Sequence, residues 1–381
     1  MSDLYDVPDG WEWKTINEVC TKVTDGAHKS PKTIDIGKPY ITVRDVNNDG
    51  IINFNDCKFI SDEDFDLLVK GNCKPNNGDV LFSKDGTVGK VALVNYDIEF
   101  VVLSSLAILK PSENILSNYL KNYLLSPYFL DKAIKSKTGA AIKRVVLKTI
   151  KELNIPLPTL SEQKRIVSKL DNLFEKIDKS IELHQKNMDE ADLFMGSVLN
   201  EIFVELEEKF DKKLWKDILT IKNGKHYKDV LDENGIYPIY GSGGVINYAN
   251  DYICNENSVI IGRKGTINSP LFVKEKFWNI DTAFGLEANI DKLLPMFLFY
   301  FSIRFNFLDL NKSTTLPSLA KSNLLQIEMV LPPLQIQQKI VKYLDEVSEK
   351  IEKVKSIQKE KMDNLKALKA SILDKAFRGE L

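Results

Sequence analysis

The chain contains the same segment twice. Residues 157–167 read LPTLSEQKRIV, and residues 331–341 read LPPLQIQQKIV. Equivalent residues are 174 positions apart, and this offset continues without a gap to Phe203 and Phe377. An internal repeat constrains the fold strongly, since each copy is expected to form the same structural unit. The chain is therefore predicted to consist of two related halves.

The regions before each copy also correspond, but with changing offsets. Residues 78–87 read GDVLFSKDGT and residues 257–266 read NSVIIGRKGT, which is an offset of 179. Trp13-Lys14 and Trp215-Lys216 form another pair, and each is predicted to open a globular segment. Changing offsets indicate insertions and deletions in loops. The predicted order is globular segment, helix, globular segment, helix, with bounds at residues 1–158, 159–210, 211–332 and 333–381.

The repeated segments have the apolar spacing of coiled-coil helices. Apolar residues recur every seven positions, a second set lies four residues later, and Glu and Lys fill most of the remaining positions. Thr159 and Glu162 have the spacing of a capping box, and Pro333 suits the first turn of the second helix. The predicted seam comprises Ile166, Leu170, Leu173 and Ile177 in the first helix and Ile340, Leu344, Val347, Ile351 and Val354 in the second.

Polar residues interrupt both seams, at Ser180 and His184 in the first helix and at Gln358 and Lys361 in the second. Two helices of equal pattern can pair, and each then buries the seam of the other. We therefore predict a rigid helical pair that acts as a spacer. An ordinary helical hairpin that only orients two domains fits the same pattern.

The globular segments are predicted to mix short strands with helices, which is an α/β (α+β) composition. Glycine and asparagine separate short apolar runs, as is typical of strands joined by turns. In the first segment, strands are predicted at residues 39–46, 80–82, 91–94 and 100–109, and helices at residues 117–126 and 147–153. In the second segment, strands are predicted at residues 236–240, 258–261 and 271–273, and a helix at residues 295–303.

Composition favours an ordinary cytoplasmic globular protein. Hydrophobic residues make up 43% and charged residues 28% of the chain. No apolar run approaches the roughly 20 residues of a membrane span, and the N-terminal residues do not resemble a secretory signal. The four cysteines and three histidines are scattered, so we expect reduced thiols, no disulfide and no metal site.

Basic residues lie at turns that recur in both halves. A glycine beside a cation lets backbone amides and the charge approach a phosphate together. The net charge of -2 counts against a nucleic-acid binder, although acidic residues elsewhere can offset a local basic surface. For each residue a solvated surface charge is the alternative. The candidate DNA-binding residues are Arg44, Ser83, Lys84, Lys90, Lys143, Arg144, Lys225, Ser242, Arg263 and Lys264.

Catalytic motifs are missing from the sequence. Val88-Gly89-Lys90 lacks the spacing of a phosphate-binding loop, and there is neither a glycine-rich cofactor fingerprint nor a G-x-S-x-G elbow. The acidic residues of segment 8–14 are crowded into one short turn-forming stretch, which argues against a nuclease site. We therefore expect no catalytic residues, no metal and no cofactor in this chain.

Three features together resemble the specificity subunits of type I restriction-modification systems. They are the PDGW opening at residues 8–11, the two Leu-Pro entries to glutamine-containing helices at Leu157 and Leu331, and the AFRGEL segment at residues 376–381. The resemblance covers essentially the whole chain, and the helical repeats are its most specific part.

The resemblance implies that each globular segment is a target-recognition domain that reads one half of a split, asymmetric sequence in double-stranded DNA. It implies that the paired helices hold the domains apart in opposite orientation and dock two methyltransferase (modification) subunits, which restriction subunits join. S-adenosylmethionine, ATP and magnesium would belong to those partners, not to this chain.

Other classes of function stay open at this point. One alternative is a coiled-coil tethering protein with two protein-binding modules, for which no affinity depends on salt. Another is an enzyme such as a fused methyltransferase or nuclease, which would need catalytic motifs. A third is an exchangeable specificity subunit that serves methylation without restriction.

Overall fold

The protein is described by a computed structural model that covers residues 4–136, 144–311 and 316–381. The chain forms two compact units. Unit 1 comprises residues 1–183 and 361–381, and unit 2 comprises residues 184–360. Each unit therefore combines one globular segment with parts of both repeated helices.

Unit 1 contains short strands and helices followed by the first long helix. Its elements are β1 (Glu12–Thr15), α1 (Ile16–Val19), β2 (Cys20–Asp25), β3 (Lys38–Ile41), β4 (Lys58–Ile60), α2 (Asp62–Lys70), β5 (Val80–Ser83), β6 (Val91–Leu93), β7 (Val101–Val102), β8 (Leu106–Pro111), α3 (Ser117–Leu124), α4 (Pro127–Lys135), α5 (Leu147–Glu152), β9 (Asn154–Leu157) and the start of α6 (Leu160–Lys209). The strands form sheets in the orders β2-β8-β5-β6, β4-β3-β7 and β1-β9.

Unit 2 repeats this plan. Its elements are β10 (Lys212–Leu214), α7 (Trp215–Ile218), β11 (Leu219–Asn223), β12 (Tyr237–Gly241), β13 (Gly244–Ala249), β14 (Ser258–Gly262), β15 (Leu271–Val273), β16 (Trp278–Asn279), β17 (Ala283–Ala288), α8 (Pro295–Arg304), a 3-10 turn (Phe307–Leu310), α9 (Lys321–Leu324), β18 (Glu328–Val330) and the start of α10 (Leu334–Phe377). The sheet orders β11-β17-β14-β15, β13-β12-β16 and β10-β18 match those of unit 1. The predicted internal repeat and α/β composition are confirmed.

One predicted equivalence is wrong. Trp215 corresponds to Ile16, not to Trp13, because the backbone N–H of Ile16 bonds the carbonyl of Leu153 at 2.8 Å and that of Trp215 bonds Ile327 at 2.9 Å. Leu153 and Ile327 are 174 residues apart, which is the offset of the helical repeat. Both Ile16 and Trp215 are completely buried and open the first short helix of their unit.

The long helices pair within each unit, as predicted. In unit 1, Ile166 and Leu170 of α6 share a core with Leu373 and Phe377 of α10. In unit 2, Leu199 and Phe203 of α6 share a core with Leu344 of α10, and Lys355 pairs with Asp192 at 2.7 Å. In unit 1 the start of α6 packs against the end of α10, and in unit 2 the end of α6 packs against the start of α10. The pairing is therefore antiparallel.

The predicted seam agrees with burial at most positions. Ile166, Leu170, Ile177, Leu344 and Ile351 are buried, and Leu173, Ile340 and Val347 are half-buried. Val354 is an exception at 43% exposed, because the next residue, Lys355, is the one that faces α6. The polar interruptions His184 and Gln358 meet each other through a 2.5 Å hydrogen bond from Nδ1 to Oε1.

A buried glutamine joins the start of each long helix to its globular segment. Gln163 Oε1 accepts from the backbone N–H of Leu116 at 2.9 Å, and its amide Nε2 donates to the carbonyls of Asn114 and Pro158, both at 3.0 Å. The amide side chain is completely buried, so these bonds satisfy groups that water cannot reach. Each helix therefore begins at a fixed place on its own globular segment.

Candidate nucleic-acid interface

Three loops of unit 1 converge on one short segment that runs from the last residue of β7 to the start of β8. This segment, residues 102–105, is called connector 1. The N–H of Ala27 bonds the carbonyl of Val102 at 2.8 Å, and the N–H of Lys84 bonds that of Ser105 at 2.9 Å. The N–H of Leu103 bonds the carbonyl of Ile41 at 2.9 Å, which attaches the loop after β3. Connector 1 thus splits the single strand predicted at residues 100–109.

Unit 2 has the same arrangement around connector 2, residues 279–282. The N–H of Lys225 bonds the carbonyl of Asn279 at 3.0 Å, and the N–H of Arg263 bonds that of Thr282 at 2.7 Å. The N–H of Ile280 bonds the carbonyl of Tyr240 at 2.9 Å, which attaches the turn containing Ser242. The predicted residues of the second half, far apart in sequence, are therefore carried by loops on one connector.

In each unit, a glycine allows the loop after the first long strand, β2 or β11, to approach its connector closely. A side chain on Gly26 would place its Cβ 1.9 Å from the carbonyl oxygen of Val102, and one on Gly224 would lie 1.8 Å from that of Ile280. Only glycine allows backbones to approach this closely. Two residues after each glycine stand the exposed histidines His28 and His226.

Arg44 and Arg144 of the first half are exposed, as a DNA contact requires. Arg44 occupies the turn that follows β3. Arg144 precedes Val145, whose N–H bonds the carbonyl of Lys84 at 2.9 Å, so it adjoins the loop after β5. Lys143 lies outside the described residues. These three residues stay predictions as DNA contacts.

The side-chain polar groups of three predicted contacts bond other groups of the protein. These residues are Ser83, Lys84 and Lys90. The hydroxyl of Ser83 donates to the carbonyl of Thr87 at 2.6 Å, and the Lys84 ammonium lies 3.3 Å from the half-buried Asp25. Ser83 and Lys84 are themselves buried. The Lys90 ammonium donates to the carbonyl of Val43 at 3.2 Å. The DNA contacts predicted for these residues remain untested, but the structure shows them bracing the loops.

The Asp25 carboxylate links two loops of unit 1. Its Oδ1 lies 3.1 Å from Nε2 of His28, while its Oδ2 faces the Lys84 ammonium. This contact orients the ring of His28, and within the described ranges no residue bonds its Nδ1. In unit 2 the place of Asp25 is taken by Asn223, one residue before Gly224.

The predicted residues of the second half differ in exposure. Lys225 and Lys264 are exposed, and Ser242 is half-buried in the turn between β12 and β13. The Arg263 guanidinium lies 5.7 Å above the ring of Phe284 and reaches the carbonyl of Asp281 at 3.5 Å. Among the described residues predicted to contact DNA, unit 2 therefore presents two exposed ammonium groups and one stacked guanidinium.

The described residues contain no group of His, Cys, Asp or Glu side chains that could hold a metal ion. Their four cysteines are free and buried. No helix in the described ranges is long and apolar enough to cross a membrane. The cytoplasmic location stays a prediction.

The family model for the type I restriction modification DNA specificity domain matches the chain twice, at residues 8–187 and 207–361. The two matches cover most of the chain and correspond to its two halves. The chain belongs to this family. Its role is that of a DNA-recognising specificity subunit, and the tethering alternative is not supported.

Two curated specificity subunits are similar to this chain over nearly their whole length. The chain is 26% identical over 434 residues to the type I restriction enzyme MjaIX specificity subunit of Methanocaldococcus jannaschii, covering 100% of this chain and 95% of the relative. It is 23% identical over 424 residues to the StySPI specificity subunit of Salmonella potsdam, covering 98% and 90%. The similarity thus includes both globular segments and both long helices.

A solved structure shares the fold. A chain in a study titled "Structural basis underlying complex assembly and conformational transition of the type I R-M system" superposes with a TM-score of 0.73 at 23% identity, covering 99% of this chain and 100% of that chain. The predicted architecture of two globular segments and two long helices is therefore shared with this solved structure.

His28 and His226 are not among the DNA-binding residues predicted from the sequence of this specificity subunit. A signal was present, since TDGAH at residues 24–28 and KNGKH at residues 222–226 share the Gly-x-His spacing at the end of equivalent strands. The offset of 198 differs from those of the other repeated segments, and this difference concealed the correspondence.

Proposed function

We propose that the loops on connector 1 and connector 2 each read one half of a bipartite, asymmetric DNA target. The observation that carries this proposal is the recurrence of three loops on one connector in both units. The loop residues differ between the units, with Ser83 and Lys84 replaced by Gly262 and Arg263. A common scaffold with different side chains suits the recognition of two different sequences.

The proposed DNA contacts are the exposed basic residues on these loops. They comprise Arg44 and Arg144 in unit 1 and Lys225 and Lys264 in unit 2, with Arg263 and Ser242 beside them. Lysines contribute salt-dependent phosphate contacts, and arginines can also reach base edges in the major groove. A local basic surface of this kind is compatible with the net charge of -2.

The long helices are proposed to dock two methyltransferase subunits, which restriction subunits join. Large apolar side chains lie exposed on the helical pair of unit 2, with Phe194 at 58%, Tyr343 at 52% and Val354 at 43%. Exposed apolar residues that lie together are typical of protein interfaces. Catalysis and its cofactors are assigned to the partners, because this chain has no recognised catalytic motif.

The proposal is tested by exchanging globular segments with another specificity subunit and mapping methylated sites. Replacing residues 11–158 should change one half of the methylated sequence and leave the other half intact. Replacing residues 212–332 is the matched exchange and should change the opposite half. A change in both halves after either exchange would contradict the assignment of one half-site to each unit.

The docking proposal has its own test. The pair of substitutions Phe194→Ser and Tyr343→Ser should reduce co-purification of the modification subunit by removing apolar contact area. Leu67→Ser, at a 62% exposed position on α2, is a matched loss of surface apolar area and should leave co-purification unchanged. Equal recovery of the complex from both variants would contradict docking at this surface.

A further inference from the structure

Arg44 differs from the other arginines in how its guanidinium is used. The chain has six arginines. Four of them bind internal acceptors: Arg165 binds Glu162, Arg304 binds Glu207, Arg378 binds Asp374 and Arg263 reaches the Asp281 carbonyl. Arg144 borders residues outside the described ranges. Within the described ranges, no residue bonds the exposed Arg44 guanidinium, which leaves its five N–H donors for a ligand.

The turn that carries Arg44 is closed on both sides. Asp45 Oδ2 accepts from the N–H of Thr42 at 2.7 Å and from its hydroxyl at 2.8 Å. The N–H of Asp45 in turn bonds the carbonyl of Thr42 at 3.1 Å. Because the Asp45 carboxylate is held by Thr42, the backbone at Arg44 is fixed before any ligand arrives.

The side chain of Lys90 holds the same turn through its backbone carbonyls. Its ammonium donates to the carbonyl of Val43 at 3.2 Å and to that of Val46, so it bonds the backbone on either side of Arg44. Lys90 is itself held by Ser83, whose hydroxyl accepts from the N–H of Lys90 at 2.8 Å. An ammonium directed at two carbonyls supports the turn and is not free to bind a phosphate.

The equivalent turn of unit 2 lacks this cation. Leu103 bonds Ile41 and Ile280 bonds Tyr240 in the same way, at 2.9 Å in each case. Counting three residues onward from Ile41 and from Tyr240 places Gly243 where unit 1 has Arg44. The two units therefore present different chemistry at the same position of the scaffold.

We propose that Arg44 is a specificity-determining residue that reads a guanine in the half-site of unit 1, and that Lys90 is its positioning residue. The guanidinium fork matches the N7 and O6 acceptors of guanine in the major groove, whereas an ammonium makes only a point contact. A turn fixed in advance loses less entropy when the fork binds. This inference rests on the proposed function, since it assumes that unit 1 contacts DNA.

The first test pairs a protein change with a base change. The full chain, assembled with its modification subunits, is bound to duplexes in which each guanine of the first half-site is replaced in turn by 7-deazaguanine. For the wild-type complex, one replacement should weaken binding by about five- to a hundredfold. In Arg44→Gln and Arg44→Lys the same replacement should have no further effect. Lys70→Gln, an exposed charge on α2, is the control and should keep the wild-type response.

The second test separates positioning from folding. Lys90→Met should lose the response to the critical 7-deazaguanine, and Lys90→Arg, which keeps a donor for the carbonyls, should retain it. Urea unfolding followed by circular dichroism reports whether unit 1, which contains Lys90, stays folded in each variant. A Lys90→Met variant that keeps both the fold and the guanine response would overturn the positioning role.

The outcomes distinguish this inference from the proposed function. A first half-site without guanine, or equal 7-deazaguanine effects in wild type and Arg44→Gln, would overturn the reading by Arg44. If the complex still requires the first half-site sequence, unit 1 remains a recognition domain that uses other residues. Loss of any dependence on that half-site would instead contradict the proposed function itself.

Discussion

Gln163 and Gln337 make the same three hydrogen bonds in their respective units. Gln337 Oε1 accepts from the N–H of Leu294 at 2.8 Å, and its amide donates to the carbonyls of Lys292 and Pro332, both at 2.8 Å. Both side chains are completely buried and lie 174 residues apart in the chain. The two units therefore attach their long helices through one repeated contact.

Substitution of either glutamine should be strongly destabilising. Gln163→Ala removes the partner of the buried carbonyl of Pro158 and of the partly buried N–H of Leu116 and carbonyl of Asn114, so we expect the free energy of unfolding of unit 1 to fall by about 2–4 kcal/mol. Urea unfolding followed by circular dichroism measures the change. Gln185→Ala removes an exposed glutamine of the same helix and should change stability by less than about 0.5 kcal/mol. Equal stability of the two variants would contradict the account.

His28 and His226 should each contribute to binding at one half-site only. We expect His28→Ala to weaken binding about three- to tenfold by removing one hydrogen bond to DNA near the first half-site, and His226→Ala to do so near the second. Competition binding of the assembled complex to duplexes altered in one half-site measures this. Removal of the hydrogen-bonding ring should leave the stability of each unit nearly unchanged, since both rings are exposed. Wild-type affinity for both variants would remove these histidines from the interface.

The length of α6 should set the gap between half-sites. Four residues inserted after Lys179 advance a helix by about 6 Å and rotate it by about 40° beyond a full turn. We predict a changed spacer between two unchanged half-sites in the mapped methylation motif. Four substitutions of exposed residues near Lys179 provide a control without added length. An unchanged spacer in the insertion variant would exclude this role for the helix.

Buried thiols should make the fold sensitive to alkali. Burial raises the pKa of the Cys20 and Cys254 thiols to about 12. The unfolded chain releases these protons near pH 8.5, so the stabilisation is complete below that pH and is lost as the pH rises towards 12. Between pH 8 and 10 we expect a loss of about 2 kcal/mol per thiol in the free energy of unfolding. The double variant Cys20→Ala and Cys254→Ala should lose less stability over this interval, and an equal loss would contradict the prediction.

Much of the architecture could be predicted from sequence because the repeat and the heptads are local patterns. The helices at residues 160–209 and 334–377 begin within two residues of the predicted bounds. The strand predicted at residues 100–109 was wrong as one element, because Leu103 and Ser105 bond neighbouring loops instead of continuing the ladder. Apolar periodicity does not report such long-range backbone contacts. The domain bounds themselves stay a prediction.

Less of the candidate interface could be predicted from the sequence. The sequence pattern of a basic residue beside a glycine does not show whether the charge faces water or a carboxylate inside the protein. Lys84 and Lys264 lie in corresponding loops, yet Lys84 is buried against Asp25 and Lys264 is exposed. Asp25 is 59 residues before Lys84, so the ion pair becomes visible only once the sheet is formed.

The central claim is that this chain determines which DNA sequence a type I restriction-modification complex recognises. Its most direct test is single-molecule methylation sequencing of a host that carries the modification subunit with and without this chain. We predict a bipartite methylated motif that is present only when the chain is expressed. Identical methylation in both hosts, with the subunits expressed and associated, would contradict the claim.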